Sequence, residues 1–214
     1  AFTNGQYSAS SPDICISTYS GTTMGTHANA TYIDCGGGGA GTEQGEQPRI
    51  AFDASNGNMV ICYRSHASSG YGAVRVIEQD GTINTKVIIS STGLGPYHHV
   101  RVTDVAGDPN NTGKFCLTYS TQNDDTIHFR SFYTSGSSGS ITCNLDSAIT
   151  VVSESSGAGT SPYVSTTPQA QVEYWGSDDG KIAIQYTGKA GQHDEEWVGV
   201  GQAAGASVSN LTSS

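Results

Sequence analysis

Charged side chains are scarce in this 214-residue chain: they make up 13% of it, about half the usual share. Apolar residues are also below the average of soluble domains, at 35%. The 19 acidic and 9 basic residues give a net charge of −10, and neither sign is clustered. Because phosphate backbones and anionic lipids attract patches of Lys and Arg, this charge argues against a nucleic-acid partner and against binding to an anionic membrane.

Long apolar runs and helical periodicity are missing as well. No run approaches the ~18 apolar residues of a transmembrane helix, so membrane insertion is not predicted. No signal peptide is present, and a start at Ala1 is what we expect of a processed or trimmed chain. The sequence has no Ser-His-Asp order, no phosphate-binding glycine loop and no Cys-x-x-Cys pair. We therefore predict a protein that is not an enzyme and holds no cofactor or metal.

Ser, Thr and 28 Gly residues take the place of the missing types, which is typical of a turn-rich β protein. This composition suits secreted, fibre and virion-surface proteins better than cytosolic enzymes. The predicted location is therefore extracellular, either secreted or on the surface of a virion.

A short apolar run that ends in tyrosine occurs four times, at intervals of about 44 to 67 residues. The four runs are Ile14 to Tyr19, Met59 to Tyr63, Phe115 to Tyr119 and Ile182 to Tyr186. An internal repeat of this kind predicts copies of one supersecondary unit. We expect one domain of four repeats, with approximate bounds 1–47, 48–95, 96–167 and 168–214.

Each repeat is predicted to contain four short antiparallel strands. In the last three copies these are 49–53, 59–64, 73–77 and 85–90; 99–104, 115–120, 127–130 and 147–153; 171–174, 181–186, 196–200 and 208–211. Tandem four-stranded units predict an all-β fold resembling a small β-propeller. A β-sandwich or jelly roll, which also uses short strands and Gly-rich turns, is the alternative.

The second copy also carries a resemblance to a known repeat. Asp53 ends its first strand, a Gly/Asn turn follows, the next run ends in Tyr63-Arg64, and Tyr71-Gly-Ala-Val74 follows a polar loop. This pattern resembles a propeller-type repeat of phage tail-fibre proteins and large secreted bacterial and environmental proteins. The resemblance covers about two-thirds of the chain and implies a binding or structural role rather than catalysis.

In a propeller, the loops after the second strands and the connections between units emerge on one face, which is the usual binding side. Five of the six histidines fall in these segments. The predicted ligand-binding residues are His27, His66, His98, His99, Asp124, His193 and Trp197. The imidazoles suit a pH-sensitive contact or a transition metal, whereas chance accumulation in polar loops is the alternative. The indole of Trp197 suits stacking on a sugar, although aromatic residues of β proteins more often lie in the core.

Carboxylates end three of the predicted first strands: Asp53, Asp104 and Glu173. Propeller glycosidases use inward carboxylates from different units as acid and base. Asp before a turn more often caps the backbone with its own side chain, and we favour that interpretation.

Cys15 and Cys35 lie in neighbouring predicted strands, so a disulfide between them is a candidate. Cys62 and Cys116 lie inside apolar runs, where cysteine acts as a small buried hydrophobe. The sequons at Asn29, Asn110 and Asn210 are candidate glycosylation sites.

Together these patterns predict a non-catalytic extracellular protein with a structural or adhesive role. Self-association into an oligomer or filament is the expected partnership, because low charge weakens the repulsion between copies. A carbohydrate-binding module with glycan ligands is the alternative, and a glycoside hydrolase is the third interpretation.

Overall fold

The computed structural model describes residues 2–4, 13–16, 19–20, 23–24, 31–34, 45–65, 71–90, 100–121, 126–153, 170–174, 181–190, 193–204 and 207–213. Their secondary structure is β throughout, which confirms the predicted all-β class. Across these ranges, no helix has the length and apolar character that a membrane span requires.

The strands form four antiparallel sheets and one separate hairpin. Sheet 1 contains β1 (Phe2–Asn4), β2 (Asp13–Ile16) and β5 (Thr31–Asp34), and the hairpin pairs β3 (Tyr19–Ser20) with β4 (Thr23–Met24). Sheet 2 contains β6 (Gly45–Phe52), β7 (Met59–Ser65), β8 (Tyr71–Ile77) and β9 (Val87–Ser90). Sheet 3 contains β10 (Val100–Gly107), β11 (Lys114–Thr121), β12 (Thr126–Ser135), β13 (Thr142–Leu145) and β14 (Ile149–Ser153). Sheet 4 contains β15 (Ala170–Tyr174), β16 (Lys181–Ala190), β17 (His193–Ala204) and β18 (Ser207–Ser213).

Sheets 2 and 4 follow the predicted four-strand order, whereas sheet 3 has five strands. The sequence predicted one strand at 147–153 in the fourth position, and the structure adds β13 before it. The reason is the length of β12, whose two halves pair with different partners. Phe132–Ser135 pairs with β13, and Thr126–Phe129 pairs with β14.

Sheets 2, 3 and 4 pack face to face, so that sheet 3 buries apolar side chains on both of its faces. Val60, Val74 and Ile89 of sheet 2 pack against Phe115 and Leu117 of sheet 3. The other face of sheet 3 packs on sheet 4, through Ile127, Phe129, Val172, Ile182 and Ile184. A third cluster lies on the opposite face of sheet 2 and contains Ile61, Tyr63, Ala73 and Ile77. Because side chains alternate along each strand, every sheet has one face toward the preceding sheet and one toward the following sheet.

The first strands of consecutive sheets lie beside each other: β6 contacts β1 and β10, and β10 contacts β15. Among the described strands the sheets do not close into a ring. The four-bladed propeller therefore stays a prediction, as does the sandwich alternative.

Sheet 4 differs from sheets 2 and 3 because its face that points away from sheet 3 carries exposed polar side chains. Gln171 and Glu173 of β15, and Lys181 and Gln185 of β16, are exposed there, with Ala183 between them partly buried. The equivalent face of sheet 2 carries buried Val60 and that of sheet 3 buried Phe129, both inside the core layers described above.

Candidate functional site: the turn edge of sheets 2 and 3

The turns that connect consecutive strands of sheet 2 meet those of sheet 3 at one shared edge, which we name the turn edge. It is formed by residues 53–58, 78–86, 108–113 and 136–141. Asp53 is its central acceptor and is only 4% exposed. One oxygen accepts from the Ser55 N–H at 3.0 Å and the Ser55 hydroxyl at 2.5 Å. The other accepts from Asn56 Nδ2 at 2.9 Å and from the Gly113 N–H of sheet 3 at 2.6 Å. The Asp53 carboxylate thus caps its own turn and binds the next sheet.

In sheet 3, Asp108 caps its own turn in the same way that Asp53 does in sheet 2. Its Oδ1 accepts the Asn110 N–H at 2.9 Å and the Asn111 N–H at 3.2 Å, and its Oδ2 accepts Asn111 Nδ2 at 2.8 Å. The position equivalent to Asp53 in the third copy is therefore Asp108, which the sequence analysis missed. The shared spacing of Asp and Asn three residues apart, Asp53 to Asn56 and Asp108 to Asn111, was the available signal.

Glu78 and Asn84, which are both buried, form a second set of hydrogen bonds between the two sheets. Glu78 Oε1 accepts Asn84 Nδ2 at 2.8 Å and the Gly139 N–H at 2.7 Å, and Asn84 Oδ1 accepts the Ile141 N–H at 2.8 Å. The hydrogen bond from the Ser138 side chain, followed by those from Asn84 and Gly139, lowers the pKa of Glu78 against the opposing effect of burial. The carboxylate therefore stays ionised in the folded chain at neutral pH.

An open polar groove of about 420 Å³ lies at the sheet 2 part of this edge, lined by Asn56, Asn58, Glu78, Gln79 and Asp80. Several of its polar atoms already serve the turns, since Asn58 Oδ1 accepts the Gln79 N–H and Asp80 Oδ1 accepts the Thr82 N–H. The remaining amide and carboxylate groups are able to bind hydroxyl groups of a polar ligand.

The structure gives different surroundings to the three carboxylates that the sequence placed at strand ends. Asp104 lies within β10, and its Oδ2 accepts the Val172 N–H of sheet 4 at 2.9 Å. Glu173 is exposed on the outward face of sheet 4. Asp53 and Asp104 are thus both bound by backbone N–H groups of a neighbouring sheet, an arrangement that favours the structural interpretation over acid–base catalysis.

Most predicted ligand-binding residues lie outside the described residues: His27, His66, His98, His99 and Asp124. His193 begins β17 and Trp197 lies inside it, but their side chains are outside the described part. The proposed gathering of histidines on one face therefore stays a prediction. Among the residues that the structure describes, no group of three or more His, Cys, Asp or Glu is arranged to hold a metal ion.

The structure describes only some of the residues of the predicted disulfide and glycosylation sites. Cys15 lies in β2 with its side chain undescribed, and Cys35 and Asn29 lie outside the described residues. Asn210 lies in β18, whereas Asn110 occupies an exposed turn.

Cys62, Cys116 and Cys143 are buried free thiols, and the buried positions of Cys62 and Cys116 agree with the prediction from their apolar runs. Burial raises the pKa of all three thiols, that of Cys143 to about 12. Because the thiolate is the reactive form, these cysteines are inert core residues at neutral pH.

No protein-family model matches the chain, and no curated protein matches it.

Proposed function

We propose that this chain is a non-catalytic extracellular protein with a structural or adhesive role, which associates with further copies of itself. The observation that carries the proposal is the use of three carboxylates, of which Asp53 and Glu78 are buried and Asp104 is partly buried. Asp53, Asp104 and Glu78 each accept a hydrogen bond from a backbone N–H of a neighbouring sheet. These carboxylates therefore link one sheet to the next. Such bonds suit a scaffold, since carboxylate oxygens that already accept backbone N–H groups hold sheets together instead of contacting a ligand.

The finer architecture that we propose is an open, propeller-like stack of four antiparallel units. The contacts between successive first strands support it, because first strands lie side by side in a propeller. The exposed polar face of β15 and β16 supports an open end, since a closed ring buries both faces of every sheet. In repeat proteins, a polar outer face marks the terminal unit that caps the stack.

Self-association is supported by the outer edge of sheet 4. At sheet 2, by contrast, the Arg130 guanidinium donates to the Ile89 carbonyl oxygen and so occupies an edge acceptor of β9. At sheet 4, the edge strand β18 has seven residues without charge or proline, although a register shift opposite Gly201 interrupts its pairing with β17. Uncharged edge strands are the usual templates for pairing with another chain.

Electron microscopy of the purified chain, with sedimentation velocity over a range of concentrations and of pH from about 5 to about 8, tests this function. We expect oligomers or fibres whose abundance rises with protein concentration. The variant Val208→Lys/Leu211→Lys, which charges β18, should weaken the association, whereas the exposed-turn control Asn110→Lys should not. A wild-type chain that stays monomeric at all concentrations contradicts the proposal.

Carbohydrate binding is the second candidate, and the open polar groove is the observation that favours it. Amide and carboxylate side chains are the usual partners of sugar hydroxyl groups. A glycan array probed with the wild-type chain and with Gln79→Ala/Asp80→Ala tests it, with Trp197→Ala as the comparison for the aromatic prediction. Signals lost only in the groove variant assign the site to the turn edge, and an array without signals rejects sugar binding.

A further inference from the structure

The three sequons of the chain occupy different structural positions. Asn29 lies outside the described residues, and Asn210 lies within β18, whose backbone pairs with β17. Asn110 lies in the turn between β10 and β11, and Asn110, Pro109 and Thr112 are all exposed. The described structure therefore presents one complete Asn-x-Thr sequon on a turn, at Asn110–Thr112.

The turn assigns opposite roles to its two adjacent asparagines. Asn111 points its amide inward, where Nδ2 donates to Asp108 Oδ2 at 2.8 Å. Asn110 contributes its backbone N–H to Asp108 Oδ1 at 2.9 Å. Among the described residues, the Asn110 side-chain amide makes no hydrogen bond, so a substituent on it breaks no interaction of the fold.

The backbone on either side of Asn110 is fixed. Asp108 holds the N-terminal half of the turn, and the Lys114 N–H donates to the Asn111 carbonyl at 3.2 Å. Gly113, with φ of 71°, completes the turn and donates to Asp53 of sheet 2. A group attached at Asn110 is thereby held at the turn edge, outside the packed faces of the sheets.

We infer that Asn110 is an N-glycosylation site of this protein. The inference rests on the extracellular location in the proposed function, because the transfer takes place in a secretory compartment. Asn110 Nδ2 forms a bond to the anomeric carbon of an oligosaccharide carried on a lipid pyrophosphate. The bond from that carbon to the pyrophosphate breaks, the lipid pyrophosphate leaves, and Nδ2 gives up one proton to the transferase.

The test is expression of residues 1–214 behind a cleavable signal peptide in insect or mammalian cells. Secreted and cell-retained chains are both digested with an amidase that removes N-glycans in heavy-oxygen water, which leaves a labelled aspartate at each former acceptor. Peptide mass spectrometry then measures occupancy at position 110. We expect most chains to be labelled there. The label should disappear in Asn110→Gln and Thr112→Ala and persist in Thr112→Ser, which keeps the sequon.

The folded glycoprotein supplies a second readout. Because the Asn110 amide has no partner in the fold, the secreted glycoform and its enzymatically deglycosylated form should melt within a few degrees of each other. Unlabelled Asn110 in chains that entered the secretory pathway overturns the inference, as does a glycan that unfolds the turn edge. Either result leaves the structural or adhesive role standing, since that role is tested by sedimentation and microscopy of the purified chain.

Discussion

Asp53 links local turn chemistry to the packing of two sheets through one carboxylate. Its hydrogen bonds to Ser55 and Asn56 stabilise the turn, and its bond to the Gly113 N–H crosses to sheet 3. The sequence predicted the local half, because Asp before a Ser-Asn-Gly turn is a capping residue. The bond to Gly113 spans 60 residues, and nothing in the local pattern indicates it.

Replacing Asp53 with Ala should lower the free energy of unfolding by about 2–4 kcal/mol, because it removes a charged acceptor and leaves the buried Gly113 N–H without one. Ser55→Ala is the matched control. It removes only the hydroxyl bond to the same carboxylate and should cost about 1 kcal/mol. Urea denaturation of both variants measures the difference. Equal losses would show that the bond to sheet 3 contributes nothing.

Glu78 gives the turn edge a dependence on pH whose sign follows from its lowered pKa. A carboxyl group with a lower pKa in the folded chain stabilises the fold above its unfolded pKa, and that stabilisation is lost as the pH falls through the folded pKa. We expect the melting temperature to decrease below the ordinary glutamate pKa of about 4.3.

The variant Glu78→Gln resembles the protonated side chain at every pH. Its melting temperature should lie below that of the wild type near neutral pH, and the two should converge in acid. Thermal melts monitored by circular dichroism between about pH 3 and about pH 7 measure this. Glu173→Gln is the control, since Glu173 is exposed on the outward face of sheet 4. If the melting temperatures of the wild type and Glu78→Gln differ by the same amount at every pH, Glu78 is not the source of the pH dependence.

At the level of elements, sheets 2 and 3 approach each other too closely for side chains at certain positions. Gly107 ends β10 where a Cβ atom would overlap the Phe52 carbonyl oxygen of β6. Gly72 in β8 would place a Cβ atom 2.7 Å from Val100 Cγ1. The two clashes differ in kind, because a side chain moves more easily than a carbonyl group of the backbone.

Gly107→Ala should therefore destabilise the fold by about 1–3 kcal/mol or more, since strands β6 and β10 must separate. Gly72→Ala should cost less, and its cost should shrink further in a Val100→Ala background. A double-mutant cycle from denaturation curves measures the coupling at Gly72. Similar losses for the two glycine variants would contradict the proposed backbone contact.

At the scale of the whole molecule, the exposed face of sheet 4 distinguishes an open stack from a closed ring. Ala183 lies on that face, whereas its neighbour Ile184 is fully buried against sheet 3. In an open stack, Ala183→Lys should change the free energy of unfolding by no more than about 0.5 kcal/mol. Ile184→Lys places an unpaired charge in the core and should cost more than about 4 kcal/mol.

Chemical denaturation of the two lysine variants measures this pair directly. Strong destabilisation by Ala183→Lys in the monomer would indicate that another sheet covers the face, as in a closed ring. Small-angle X-ray scattering of the wild-type chain gives an independent check, since an open stack is more elongated than a ring of the same four units.

The sequence was enough to predict the β class, the repeating order of strands in sheets 2 and 4, and the capping turn at Asp53. Each of these follows from neighbouring residues: alternating side chains, Gly/Asn turns and the four tyrosine-ended runs. It did not find β13, because Thr142–Leu145 becomes a strand only by pairing with the long strand β12. Nor did it find Asp108 or the Glu78–Asn84 pair.

Which faces are buried and which carboxylates join sheets could be seen only in the folded chain. Asp53, Asp104 and Glu173 look equivalent along the chain, yet two of them bind a neighbouring sheet and the third faces solvent. The physical reason is that a strand's pattern specifies two faces but not the partner of either one. The partner is set by contacts between residues more than 50 positions apart, such as Asp53 with Gly113 and Asp104 with Val172.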